Sequence, residues 1–198
     1  MPTDSEDFAF ISSGTWSLVG VETSVPLIDD NSLKCNFTNE VGVSDRFLFM
    51  KNIVGMWLLQ ECVRTWNHQG LDLDYAQLNQ RAMTAEPFRA LIHPNDPRFM
   101  LPGDMTARIA DACQETGQSV PGSIGEFTRC VLESLALAYR HILNQMENEF
   151  SHPIEVIHII GGGSQNNLLN QMTANATGKP VVNGFTFEGG IEFSADFD

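Results

Sequence analysis

Apolar residues along this chain first alternate, then recur every three to four positions, and finally form an unbroken β-branched run. Phe8 to Glu22 (FAFISSGTWSLVGVE) is rich in strand formers and broken by Ser-Ser-Gly. That pattern predicts two strands joined by a tight turn, with Ser12, Ser13, Gly14 and Thr15 at the tip. Val25 to Asn36 reads as a loop or short strand, Asn36 to Gly42 as a polar turn, and Arg46 to Met50 as a strand. From Lys51 to Trp66 (KNIVGMWLLQECVRTW), Ile53, Met56, Trp57, Leu59, Cys62, Val63 and Trp66 cover a wide apolar face, which predicts a core helix. Asp74 to Ala85 predicts a second helix with Leu78 and Ala82 inward. Phe88 to Pro102 is interrupted by prolines and reads as a connector. Asp104 caps a short helix reaching Cys113. Ser123 to Glu126 reads as a capping box that opens a long helix to about Phe150, with Phe127, Val131, Leu135, Ala138, Ile142 and Met146 as its core stripe.

Ile154 to Ile160 (IEVIHII) has the composition of a strand buried on both faces. Gly161, Gly162 and Gly163 follow, permitting a tight turn with bare backbone N–H groups. Ser164, Asn166 and Asn167 are each able to cap a helix whose apolar face is Leu168, Leu169, Met172 and Ala176. Gly178 ends it, and Lys179 to Val182 reads as the next strand. Strand, glycine turn, helix and strand make a βαβ unit whose helix N-terminus favours an anion such as a phosphate. An ordinary βα turn has the same local pattern, so the glycines alone leave both readings open. The hydroxyls at the hairpin tip are similarly divided between a phosphate-contacting turn and a plain hairpin. Gln60 and Asn52 are amides on or beside a buried helix, where most such groups are satisfied edge residues. His93 lacks a partner at metal-ligand spacing and reads as a surface residue. The class is α/β or mixed, with helices packed on a sheet.

A formal net charge of −14 over 198 residues argues against nucleic acid and anionic membranes as partners. It leaves a nucleotide open, provided Mg²⁺ and local backbone donors offset the field. No apolar run is long enough to span a bilayer, and MPTDSEDFAF lacks the basic and apolar regions of a signal peptide, so a cytoplasmic protein is expected. The four cysteines show no CxxC spacing, which argues against a zinc site. Reduced thiols are the expectation, with Cys113 and Cys130 on neighbouring helices where they can approach one another.

Taken together, FISSGTWSLVGVE from Phe10, NFTNEVG from Asn36, KNIVGMWLLQEC from Lys51 and GGGSQNNLLNQMTANATGKPV from Gly161 resemble the second domain of the FGGY carbohydrate kinases. Within that family they look most like the branch acting on L-rhamnulose. The resemblance covers Phe8 to Gly184. It implies an actin-like ATPase (ribonuclease H-like) α/β fold, a mixed sheet with packed helices. It also implies ATP-dependent, Mg²⁺-assisted phosphorylation of L-rhamnulose at its 1-hydroxyl. On that resemblance Thr15 faces the ATP phosphates, Gln60 lies on the nucleotide side, Gly162 lies against the nucleotide, and Asn52 matches a sugar-binding position. In such kinases the first domain carries a phosphate loop, most of the sugar site and the aspartate that acts as base. No Asp in this chain sits in a matching motif, so no catalytic residue is assigned, and the missing N-terminal kinase domain is the expected partner. Residues 185–198 (FTFEGGIEFSADFD) depart from the family pattern, which leads to the expectation of an uncovered apolar patch and self-association. The alternative is a non-catalytic nucleotide- or sugar-binding module descended from a sugar kinase. A dinucleotide fingerprint fits poorly, because Asn166 stands where G-x-G-x-x-G needs its last glycine.

Overall fold

In a computed structural model, which describes residues 7–149, 153–184 and 191–196, the first alternating stretch is a hairpin. Its strands are β1 (Phe8–Ser13) and β2 (Trp16–Thr23), paired antiparallel so that Ser13 faces Ser17 across the tip. The strands β3 (Thr38–Val41) and β4 (Phe47–Val54) extend the antiparallel half, with β4 against β2 along eight residues. The strands β5 (Val156–Ile160) and β6 (Val181–Asn183) run parallel to β1, and β7 (Ile191–Phe193) closes the far edge antiparallel to β6. The described sheet therefore has seven strands in the order β3-β4-β2-β1-β5-β6-β7. It is the mixed sheet expected from the sequence.

Helices α1 (Asp30–Lys34), α2 (Trp57–His68), α3 (Tyr75–Thr84), α4 (Met105–Glu115), α5 (Ile124–Glu149) and α6 (Asn167–Thr177) fill the connections. The central one is α5, whose Leu132, Leu135, Tyr139 and Leu143 are fully buried. Tyr139 is anchored to the sheet by a 2.8 Å hydrogen bond between its hydroxyl and Ser17 Oγ. Burial pushes the Tyr139 phenol up, with the hydrogen bond to Ser17 opposing. Gly178 ends α6 in the left-handed region at φ 69°, returning its N–H to Ala174 O at 2.8 Å.

Several sequence expectations are corrected. The predicted helix from Lys51 to Trp66 is two elements: β4 runs through Val54, Gly55 turns the corner, and α2 begins at Trp57. Pairing with β2 continues through Lys51 to Val54, the Val54 N–H donates to Asn95 Oδ1 at 2.8 Å, and Gly55 has no room for a side chain, since a Cβ would lie 2.5 Å from Ser17 Oγ. Val25 to Asn36 contains α1, capped by Asp29, whose carboxylate accepts from the N–H groups of Asn31 and Ser32. Asn36 to Gly42 is not only a turn, because its Thr38–Val41 pairs with β4 as an edge strand. Strand β5 is fully buried on one face only: Ile157 and Ile159 are covered, while Val156, His158 and Ile160 are half-buried. The box at α5 is half as expected. Ser123 Oγ accepts from Glu126 N, but Glu126 Oε2 accepts from Gly122 N. Phe150, the expected end of α5, and residues 185–190 of the tail lie outside the described residues. All four cysteines are free, and a hydrogen bond between Cys113 and Cys130 lowers the former's pKa and raises the latter's.

Candidate functional site

The tip of the β1–β2 hairpin is held against the start of α2 by backbone bonds. Met56 N donates to Gly14 O at 2.9 Å, and Trp57 N to Thr15 O at 3.1 Å. Gly55 permits this approach, because any side chain there would strike Gly14 and Trp16. Gln60 stands one turn further along α2, with its N–H bonded to Met56 O. Thr15 Oγ1 donates to Gln60 Oε1 at 3.3 Å. The Gln60 amide also bonds the Tyr75 hydroxyl at the start of α3; burial raises the Tyr75 phenol while that bond opposes the rise. Asp74 fixes Tyr75 in place through a reciprocal capping box with Gln77.

The glycine turn supplies the opposite wall. Gly161 has φ 84°, and a Cβ there would lie 2.6 Å from Ser13 O. Gly163 lies so close to Ser13 that a Cβ would overlap its hydroxyl. Gly162 differs from both, since nothing lies within 4 Å of where its Cβ would be. After a single 3₁₀ turn over Gly162–Gln165, Asn166 caps α6, its Oδ1 accepting from Leu169 N at 3.1 Å. Asn79 Nδ2, from α3, donates to the same oxygen at 3.1 Å.

Between these walls lies a cleft of about 510 Å³, lined by Gly14, Met56, Gln60, Tyr75, Asn79, Gly162 and Asn166 among others. None of the described residues lining it is charged. Its polar groups are amides, a phenol and backbone N–H groups at a helix start, a set suited to phosphate and base contacts. Mg²⁺ prefers carboxylates together with phosphates and water, so the lining does not fit a resident ion. Among the described residues no cluster of three His, Cys, Asp or Glu is placed to hold a metal.

Three of the four residues singled out from the sequence converge here. Gln60 and Gly162 line the cleft, and Thr15 is bonded to Gln60 at its edge. Asn52 does not join them. It is exposed on β4 opposite Leu18, in a strand where the flanking Lys51 and Ile53 line a separate cavity of about 330 Å³ against α5. Tyr75 and Asn79 were missed. Their spacing of four places them on one face of α3 beside inward Leu78 and Ala82, but nothing in the sequence ties that face to the glycine turn.

The model of the FGGY family of carbohydrate kinases, C-terminal domain, matches residues 9–190. The chain belongs to the FGGY carbohydrate kinases. The rhamnulokinase of Bacteroides thetaiotaomicron is 49% identical over 184 residues, covering 93% of this chain and 37% of that protein. The rhamnulokinase of Bacillus subtilis is 43% identical over 185 residues, again covering 37% of its own length. The chain thus spans somewhat over a third of the curated relatives it matches. Among solved structures, the xylulose kinase from Rhodospirillum rubrum superposes with a TM-score of 0.66 at 15% identity, over 95% of this chain and 37% of that one. That likeness shows the fold of this FGGY domain, a mixed sheet with packed helices shared with solved sugar kinases.

Proposed function

We propose that this FGGY domain supplies the nucleotide-binding half of an ATP-dependent kinase that phosphorylates L-rhamnulose at its 1-hydroxyl. The observation that carries the reading is the convergence of Thr15, Gln60 and Gly162 on one uncharged cleft walled by a hairpin tip and a glycine turn. Rhamnulokinase relatives support the choice of sugar. Phosphoryl transfer is chiefly positioning and charge stabilisation. In this reading the backbone N–H groups around Gly162 receive phosphate oxygens, the Thr15 hydroxyl turns from Gln60 to a phosphate, and Gln60 is freed for the nucleotide. Mg²⁺ arrives with the ATP phosphates and supplies charge neutralisation, since the cleft offers it no carboxylate. Asn52, away from the cleft, faces the sugar side. The base that takes the proton from the sugar hydroxyl belongs to the N-terminal kinase domain, so the chain alone binds nucleotide without turnover.

Calorimetric titration with Mg-ATP, using NAD as the control ligand, tests this reading. Saturable ATP binding with no NAD binding is expected, along with no ADP release when L-rhamnulose is added. Absence of ATP binding by a folded chain overturns the assignment of the cleft.

A further inference from the structure

The cavity of about 330 Å³ against α5 shares no lining residue with the cleft. It lies where β4 outruns its edge partner: β3 ends at the pair Thr38–Met50, while Lys51 to Val54 continue beside α5 and the connector. Asn95 of the connector closes that edge, its Oδ1 accepting from Val54 N at 2.8 Å. The floor is apolar. Ile53, Ile92 and Ile142 are buried, but Leu91, Leu137 and Ala138 are only half-buried, so hydrocarbon is left uncovered along the cavity. A packed core normally closes over such surface, because a void forfeits contacts on its lining.

The polar groups at this cavity are of one kind. Lys51 is half-buried, its ammonium 5.6 Å from the centroid of the Phe37 ring, and it has no carboxylate partner among the described residues. Asn95 commits its Oδ1 to Val54, which leaves Nδ2 as a donor without a partner among the described residues. His93 and His141 stand exposed at the rim, each with at least one N–H to donate. The Ser134 hydroxyl is already engaged, accepting from Ile92 N and donating to Cys130 O. Asp96 is the carboxylate near His93, and it is bound to Arg98. None of the described residues lining the cavity is acidic, in a chain with 25 acidic residues against 11 basic ones.

We propose that this cavity is a binding site for a small organic anion, a monocarboxylate with a compact hydrocarbon body. Charge complementarity fixes the head. An ammonium and several donors with no carboxylate among them suit a carboxylate and reject a cation. The uncovered Leu91, Leu137 and Ala138 fix the body, because a polyhydroxylated ligand such as a sugar phosphate would bury hydroxyls against hydrocarbon without partners. Apolar walls with a few converging polar groups are the usual make-up of a small-molecule site, and the volume falls at the lower end of that range. Asn52 points to the opposite face of β4 from Lys51 and Ile53, so this site stands apart from the phosphoryl-transfer reading.

Calorimetric titration of the chain with hexanoate, 1-hexanol and inorganic phosphate tests the proposal, repeated on Lys51→Met and Ala138→Phe with thermal melts as folding controls. Hexanoate should bind saturably, about tenfold or more tighter than hexanol or phosphate, the gain expected of a charge-assisted hydrogen bond. Lys51→Met keeps the apolar stem, so it should bring hexanoate down to the affinity of hexanol and leave hexanol unchanged. Ala138→Phe fills the cavity from α5 and should remove both. Absence of hexanoate binding by the folded wild-type chain overturns the proposal. Hexanol binding as tightly as hexanoate would make the cavity a plain apolar hollow, and phosphate binding as tightly would make the rim alone the site; either result overturns it. So does an unchanged hexanoate affinity in either folded variant, because the ligand would then sit elsewhere.

Discussion

The three consecutive glycines make the sharpest test, because the structure gives each a different reason to exist. Gly163 packs on buried Ser13, with a Cβ placed 2.8 Å from Ser13 Cβ and closer still to its hydroxyl. Gly163→Ala therefore overpacks the junction of β1 and the turn and should cost about 1–3 kcal/mol. Gly161→Ala places an L side chain at φ 84° and 2.6 Å from Ser13 O, so at least about 1–2 kcal/mol of backbone strain is expected before any clash. At Gly162 the backbone is unstrained and a Cβ meets nothing within 4 Å. Gly162→Ala should be neutral or stabilising by about 0.4–1 kcal/mol through loss of unfolded-state entropy. In a chain of this size about 1 kcal/mol moves the melting temperature by roughly 2–4 °C. Thermal melts should therefore leave the position-162 variants near wild type and lower the other two by several degrees. Binding should rank them differently. Gly162→Val fills space that only a ligand would otherwise occupy, and calorimetry with Mg-ATP should show affinity weakened by about tenfold or more, equivalent to about 1.4 kcal/mol. A Gly162→Val protein that melts and binds ATP like wild type would refute the reasoning. So would one that fails to fold, because it would mean the open space is not open.

Three further outcomes are expected. Tyr139→Phe removes the partner of fully buried Ser17 and should lower stability by about 1–3 kcal/mol in urea melts, with the Tyr139→Phe, Ser17→Ala double variant recovering part of the loss; strict additivity would show that the bond is not the cause. Asp74→Ala removes the capping-box acceptor of α3 and should cost about 1 kcal/mol, read from the same melts, and Asp74→Asn should restore most of it. His158 is held below its ordinary value of 6.5 by burial, so the unfolded chain binds the proton more readily. Its contribution to stability is complete above pH 6.5 and falls as pH drops below that value, and His158→Gln should flatten the change in urea midpoint between pH 7.5 and 5.5; an unaltered slope would assign the effect elsewhere.

Much of the fold follows from local physics alone. The Phe8–Glu22 hairpin, the Asp74 and Asp104 caps, the stripe along α5 and the strand–turn–helix–strand unit ending at Gly178 are written in alternation, capping residues and period. These signals act within a few residues, so they survive without tertiary context. Where pairing partners decide the outcome, local pattern misleads. Lys51 to Val54 carries residues that also suit a helix, and only the ladder to β2, with the clearance demanded at Gly55, makes it a strand. Edge strand β3 carries little buried surface, so its sequence has no alternation to read and its state is set by the backbone of β4. The site divides in the same way. Local pattern points to the hydroxyls of the hairpin tip, the three glycines and the amides Gln60 and Asn52, one group at a time. The family resemblance picks Thr15 and Gly162 out of their groups and turns the two amides into expected contacts. Bringing α3 across to the glycine turn, so that Tyr75 meets Gln60 and Asn79 meets Asn166 at a sequence separation of 87, is the work of the packed core between them. Sequence spacing encodes no such distance; the wall of the cleft exists only once α3 and α6 have both docked on α5.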